Sequence, residues 1–314
     1  VIEVGLVAPT LDLLGGHSVQ AARLIEAWAQ DAEVRVRLLP INPPLPRPLA
    51  PVGRTRYART AARAIRFSGL LMRETRRVDL LHVFATSNSS FFLTAAPAIV
   101  AAAILGKPLV VNYRGDSAEH LTRSRAARWL LQRAGVLVVP SSYFSTIFAN
   151  LGMSAVVIPN VADLHRFQYR PRRSLHPRVL STRNFEPIYN IECTLRAFRL
   201  VQRRYPDASL MLVGAGSRDK ALRGLARELL LRNVTFAGPV PQHVMPHIYD
   251  AADIYLQTPF VDNMPASLIE AFASGLPVVA TAVGGVPLIL QDGVHGLLVP
   301  SDDQAAAAQG IIAL

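Results

Sequence analysis

Short apolar runs alternate with helix-length stretches from one end of this 314-residue chain to the other. In the first half the runs are Ile2–Ala8, Val34–Pro40, Leu80–Phe84, Leu109–Tyr113, Val136–Val139 and Ala155–Ile158. In the second they are Arg178–Ser181, Ser209–Val213, Val234–Ala237, Ile254–Gln257, Pro277–Thr281 and Gly296–Val299. Most are continuously apolar rather than alternating, as expected for strands covered on both faces. Between them lie helical patterns such as His17–Gln30, Arg123–Ala134, Ile191–Tyr205, Asp219–Leu230, Pro246–Ala251 and Pro265–Ala273. Strand–helix–strand order of this kind builds parallel sheets, because successive parallel strands need a crossover.

The length is too great for one small core, and two domains follow. The polar run Arg166–Pro177, with two prolines and five Arg or His residues, is the natural linker. The expected fold is α/β, with two doubly wound Rossmann-like domains, 1–165 and 166–314, facing a cleft. With 51% hydrophobic and 18% charged residues the composition excludes a disordered chain. Cys193 is the single cysteine, so no intramolecular disulfide forms; a buried small hydrophobe is the better reading of it than a nucleophile. The apolar stretch Phe91–Leu105 is too short to span a membrane and reads as a buried helix. The absence of disulfides and of a signal segment points to the cytoplasm.

The densest chemistry lies in Asp262-Asn263-Met264-Pro265-Ala266-Ser267-Leu268-Ile269-Glu270, followed by Ala271 to Thr281. Pro265 suits a first helical turn, and Asp262 or Asn263 can cap it. Gly275 suits a left-handed helix end, and a strand follows. This sets Asp262 in a loop at a helix mouth and Glu270 in the second turn, on an edge where open α/β sheets bind ligands.

These residues resemble the acidic-x7-acidic signature of retaining, nucleotide-sugar-dependent glycosyltransferases of GT-B type, in particular glycosyltransferase family four. Gly15-Gly16-His17-Ser18, Ile158–Asp163, Leu212–Gly216, Phe236–Val240, Ala251–Leu256 and Gly284-Gly285-Val286-Pro287 resemble further segments of that family, in its order. The resemblance implies that Asp262 meets donor-sugar hydroxyls and positive charge at the anomeric carbon, where many members have Glu. It implies that Arg183 faces the diphosphate and that Glu270 takes the ribose hydroxyls. Asn263, Met264 and Pro265 would complete the sugar site, and Gly15 and Gly16 would let backbone approach the donor phosphate. Gly214, Gly238, Pro239 and Val240 would shape the nucleotide pocket. Members commonly place a Lys five or six residues after the Arg, whereas Arg183-Asn184-Phe185-Glu186-Pro187-Ile188-Tyr189-Asn190 has none. Asn112-Tyr113-Arg114-Gly115-Asp116 ends a first-domain strand where members often present a His, and Arg114 and Asp116 are the acceptor-side candidates. In members the last helix crosses back to the first domain; nothing follows Leu314, so the chain reads as truncated before it.

His17, His82 and His120 have no metal-ligand spacing, so no metal or other cofactor is expected beyond the donor itself. The net charge of +11 is uneven: residues 1–165 carry 18 basic and 10 acidic side chains, and no Lys or Arg follows Asn233. Arg47–Arg77 holds nine Arg and one acid, Glu74, with apolar residues between them. It reads either as a solvated helix face or as a seat on anionic lipid. No nucleic-acid motif accompanies it. The expected activity is transfer of a hexose from a nucleotide-diphosphate sugar to a saccharide or lipid-linked acceptor, with retention, in the cytoplasm or at the inner membrane face. A nucleotide-sugar-binding subunit of low activity and a nucleotide-sugar epimerase are the alternatives.

Overall fold

The computed structural model describes residues 1–11, 16–44, 55–115, 121, 123–160, 162–172 and 175–314. They form two compact units, Val1–Pro159 and Asn160–Leu314.

The first unit is a six-stranded, all-parallel sheet in the order β2-β1-β3-β4-β5-β6. Its strands are β1 (Ile2–Ala8), β2 (Val34–Pro40), β3 (Leu80–Ala85), β4 (Leu109–Tyr113), β5 (Val136–Val139) and β6 (Val156–Val157). Helix α1 (Gly16–Trp28) packs Ala21, Leu24 and Ile25 over Leu6, Ala8 and Phe84. The other core cluster gathers α2 (Arg56–Glu74), α3 (Asn88–Leu93), α4 (Ala95–Ile104), α5 (Arg125–Leu131) and α6 (Ser142–Asn150). The stretch read as a single buried helix is two helices broken at Thr94, whose hydroxyl turns back to Ser90 O at 2.7 Å. It is also not buried all round, since Phe92, Leu93, Val100 and Ile104 are exposed.

The second unit is a six-stranded parallel sheet in the order β12-β11-β10-β7-β8-β9. Its strands are β7 (Arg178–Ser181), β8 (Ser209–Val213), β9 (Val234–Gly238), β10 (Ile254–Gln257), β11 (Val278–Thr281) and β12 (Gly296–Val299). One face carries α7 (Ile191–Arg204) and α8 (Asp219–Glu228). It also carries α11 (Gln304–Ala313), an alanine-rich helix that was not among the helical patterns read from the sequence. The other carries α9 (Met245–Ala251) and α10 (Ala266–Ala273).

The polar run read as a linker is held to the second unit. Phe167 is buried against Tyr249, with ring centroids 5.5 Å apart. Arg172 donates to the Tyr249, Asp250, Ala252 and Ser274 carbonyls, which close the C-terminal ends of α9 and α10. Guanidinium groups suit these helix ends, where carbonyls lack intrahelical partners.

Candidate active site

In the second sheet the chain leaves β7 towards β8 and leaves β10 towards β11, in opposite directions across the sheet. Strands β7 and β10 are nevertheless neighbours, with Val179 opposite Ile254 and Leu180 opposite Tyr255. The loops after their carboxyl ends therefore diverge and leave a crevice, the usual ligand position in doubly wound sheets. Arg183 lies two residues beyond β7, and Asp262 lies on the loop between β10 and α10.

The two side chains meet: Arg183 Nη2 lies 2.6 Å from Asp262 Oδ2, with the side chains 13% and 10% exposed. Arg183 Nη1 also donates to Ser267 Oγ at 3.4 Å, and its guanidinium carbon lies 4.2 Å from the centre of the Tyr189 ring. Tyr189 falls in the stretch where the resemblance leads to a Lys, so an aromatic face lies against Arg183 where a second cation was sought. Asp262 Oδ1 accepts from the Asn263 amide at 2.9 Å.

The glycines set this geometry by close backbone approach. A Cβ on Gly214 would come within 2.5 Å of Arg183 O, and one on Gly216 would strike Phe185 O. One on Gly284 would strike Asp262 O, and one on Gly285 would strike Asn263 O. Hydrogen bonds fix the same contacts, from Phe185 N to Ala215 O at 3.0 Å and from Gly285 N to Asp262 O at 2.9 Å. Gly214 and its neighbours thus hold the Arg183 loop, and Gly284-Gly285 hold the Asp262 loop. Gly238 adopts φ +72° and accepts from Gly214 N at 3.0 Å. Pro239 is exposed, and Val240 packs on the α9–α10 core.

One local expectation is corrected. Pro265 is the N-cap of α10 rather than a residue inside it, and its own side chain makes no cap hydrogen bond. Asp262 Oδ1 is engaged by its own neighbour's amide instead, because a carboxylate three residues before the cap turns back on its loop. Asn263 and Pro265 are buried, and Met264 O accepts from Asn160 Nδ2 at 2.8 Å. The other end is as expected: Gly275 has φ +71°, and Leu276 N closes on Ala271 O at 2.9 Å.

Glu270 is buried, and its Oε2 accepts from the Tyr249 hydroxyl at 3.1 Å. Behind it lie Thr182, Tyr255, Ser267 and Gln257, all polar and all near strand ends or on α10. None was singled out from sequence. Their signal was present, since Thr182, Gln257 and Tyr249 put polar atoms where the flanking pattern is apolar. Gln257 is fully buried, and its Nε2 has no hydrogen-bond partner among the described residues. Burial, then Tyr255 and Glu270, push the Tyr249 phenol well above its ordinary range, so it stays protonated.

In the first unit Arg114 follows β4 and lies 5.0 Å over the Phe84 ring. Its Nη1 donates to Asn112 Oδ1 at 3.5 Å, and its carbonyl lies 2.9 Å from His17 Nε2. Burial draws the guanidinium down to about 10, still cationic at neutral pH. The same burial, with Arg114 beside it, lowers His82 to about 4, so that imidazole is neutral. Gly16 opens α1 with open space where a Cβ would stand. Gly15 and Asp116 lie outside the described residues. Cys193 is buried, and burial pushes its thiol up to about 11. Among the described residues no group of three or more His, Cys, Asp or Glu could hold a metal ion, and no helix is long and apolar enough to cross a membrane.

Two family descriptions divide the chain between them. Glycosyltransferase family 4 matches residues 14–166, and glycosyl transferases group 1 matches residues 168–314. The phosphatidyl-myo-inositol mannosyltransferase of Mycobacterium leprae is 28% identical over the whole of this chain and 87% of its own length. A D-inositol 3-phosphate glycosyltransferase of Nocardia farcinica is 33% identical over 50% of this chain and 39% of its own. Among solved structures, Anabaena Alr3699/HepE in complex with UDP-glucose superposes with a TM-score of 0.76 at 19% identity. Sucrose-phosphate synthase from Thermosynechococcus elongatus does so with the same score and identity; each match covers 100% of this chain and 89% of the other. The fold is GT-B, built of two Rossmann-like units.

Proposed function

The chain belongs to the group 1, family 4 glycosyltransferases, and from that premise we propose that it moves a hexose from a nucleoside-diphosphate sugar to a saccharide or lipid-linked acceptor with retention. The observation that carries this reading is the Arg183–Asp262 pair at the switch point of the second sheet. The two groups have the charges that the two halves of such a donor need. Arg183 meets the diphosphate, on which negative charge grows as the anomeric C–O bond breaks. Asp262 offers two acceptor oxygens to sugar hydroxyls and a negative charge to the oxocarbenium-like centre. Glu270 takes the ribose hydroxyls, with Gly214, Gly238, Pro239 and Val240 around the nucleotide. Asn263, Met264 and Pro265 would complete the sugar site, and the resemblance implies that Gly15 and Gly16 let backbone approach the donor phosphate.

The first unit supplies the acceptor side, through Arg114 and Asp116. The mannosyltransferase relative acts, by its name, on a phosphatidyl-inositol lipid, which supports a lipid-linked acceptor here. Helix α2 supports it too. Arg59 and Arg66 are exposed on the same helix as Ile65, which is 74% exposed. Arg37, Arg73 and Arg77 are by contrast drawn to the buried Glu74, so only part of the basic run offers charge to lipid. Seating on anionic membrane would place the protein at the inner face of that membrane.

The test is calorimetry and thermal shift against UDP, GDP, ADP and their hexose conjugates, on wild type, Arg183→Ala and Asp262→Ala. One nucleotide should bind tightly and be lost with Arg183. Transfer should vanish with Asp262, and the product anomer should match that of the donor. Binding that survives Arg183→Ala would remove the assignment. Cosedimentation with phosphatidylglycerol vesicles, weakened by Arg59→Glu with Arg66→Glu, tests the lipid face.

A further inference from the structure

We propose that Tyr249 is a positioning residue for Glu270: a one-way chain of hydroxyls, Tyr255 to Thr182 to Tyr249, delivers a hydrogen bond that fixes the carboxylate facing the ribose. The inference rests on the reading of Glu270 as the ribose acceptor and goes on to say what orients it.

The direction of the chain follows from chemistry. A carboxylate only accepts, so the Tyr249 hydroxyl gives its single proton to Glu270 Oε2 at 3.1 Å. The Ser267 carbonyl at 3.3 Å is the longer and uncharged competitor. With that proton committed, the contact of 2.8 Å between Tyr249 and Thr182 Oγ1 has Thr182 as donor. Thr182 Oγ1 then accepts from the Tyr255 hydroxyl at 3.2 Å. Each of the three hydroxyls gives one proton and the two inner oxygens each receive one, so the chain has one consistent polarity.

Its members come from three elements that the ligand site needs in register. Tyr255 is on β10, Thr182 is the residue after β7, and Tyr249 is on α9 facing α10. Tyr249 and Tyr255 are fully buried, with rings stacked at 5.9 Å. They are therefore not themselves ligand contacts, and they act through Glu270. A buried carboxylate held from behind by a hydroxyl donor loses rotamer freedom, which suits recognition of a vicinal diol. Arg172 donates to Tyr249 O at 3.2 Å and locks the end of α9.

The test uses whichever of UDP, GDP or ADP binds tightest, together with its 2′- and 3′-deoxy forms, on the full chain. Wild type should prefer the ribonucleotide by about tenfold or more, the effect of one unpaired buried acceptor. Glu270→Gln should erase most of that preference. Tyr249→Phe should reduce it at least about threefold by weakening the ribonucleotide while leaving the deoxy forms nearly unchanged. Thr182→Val, which keeps the Tyr249 proton but removes its support, should give a smaller reduction in the same direction. Equal weakening of ribo and deoxy forms by Tyr249→Phe would overturn the proposal, since a merely structural tyrosine acts on both alike. Should Tyr249→Phe not fold, a Thr182→Val preference identical to wild type overturns it. A preference that survives Glu270→Gln, or that wild type lacks, instead refutes the ribose reading of Glu270 and takes the proposal with it.

Discussion

Replacing Asp262 by Asn should raise affinity for the bare nucleoside diphosphate while abolishing sugar transfer. The substitution keeps an oxygen for the Asn263 amide, whose present bond is 2.9 Å, and removes only the charge opposite Arg183. That charge stands 2.6 Å from the guanidinium, with both side chains near a tenth exposed. Breaking a fully buried pair from one side costs about 3–5 kcal/mol, and the residual exposure brings this to about 2–3 kcal/mol. For a unit of this size the loss corresponds to a drop of about 4–12 °C in Tm. On the proposed reading, a diphosphate must displace Asp262 from Arg183 in the wild type. In the variant it meets a cation with no carboxylate opposite, so much of the lost stability returns as binding. An affinity gain of about tenfold is expected, which is roughly 1.4 kcal/mol of the loss. Differential scanning fluorimetry with and without nucleotide, followed by calorimetry, measures both quantities. A Tm within 2 °C of wild type (about 1 kcal/mol or less), or weaker nucleotide binding, would refute the reasoning.

Gly284→Ala should destabilise the second unit by at least about 3 kcal/mol and abolish transfer, because the methyl would strike Asp262 O at a backbone φ of +55°; thermal denaturation and a transfer assay measure it. Tyr189→Lys should tighten nucleoside-diphosphate binding about threefold or more, by adding a second cation beside Arg183 (calorimetry decides). His82 predicts a pH dependence for the first unit. Its folded value of about 4 lies below the ordinary 6.5, so the unfolded chain binds the extra proton between these values. Stability from this group is complete above about pH 6.5 and is lost as pH falls towards 4; His82→Gln should flatten that part of a Tm–pH curve.

The inner strands were legible because burial on both faces leaves nearly uninterrupted apolar runs, whereas the edge strands β2, β6 and β9 are partly exposed; all twelve appear within a residue or two of where they were read. Helix α11 was not, since an alanine tract has no apolar stripe to read. It is fixed by tertiary packing of Ala307, Ala308 and Ile311 and by the Asp303 cap on Ala306 N at 2.8 Å. The break at Thr94 was equally hidden, because a threonine hydroxyl competing for a backbone carbonyl leaves no mark in hydropathy. In the site, Asp262 and Glu270 stood out by their spacing about the start of a helix, and Arg183 through its place after a strand and the family resemblance. The tyrosines and threonine behind them did not, because pairing across β7, β10, α9 and α10 is set by topology rather than by spacing along the chain.

The departures from the family pattern belong together. A second cation beside Arg183 would compete with it for Asp262, in a pair whose two side chains are mostly buried. Here one Arg faces one Asp, and the Tyr189 ring takes the remaining face of the guanidinium. Because Asp is one methylene shorter than Glu, its carboxylate stays within the loop that Gly284 and Gly285 clamp and has little freedom to swing away from Arg183. The Arg183–Asp262 pair is therefore neutral in itself, and its two groups occupy each other. On the proposed reading, a diphosphate would separate the pair by offering Arg183 a stronger anion, and the Asp262 oxygens would be released to the sugar in the same exchange. Free hexose alone has no charge with which to make that exchange. Sugar should thus bind measurably only after a nucleoside diphosphate has occupied Arg183, and equal hexose affinity with and without the nucleotide would show the pair is not a latch.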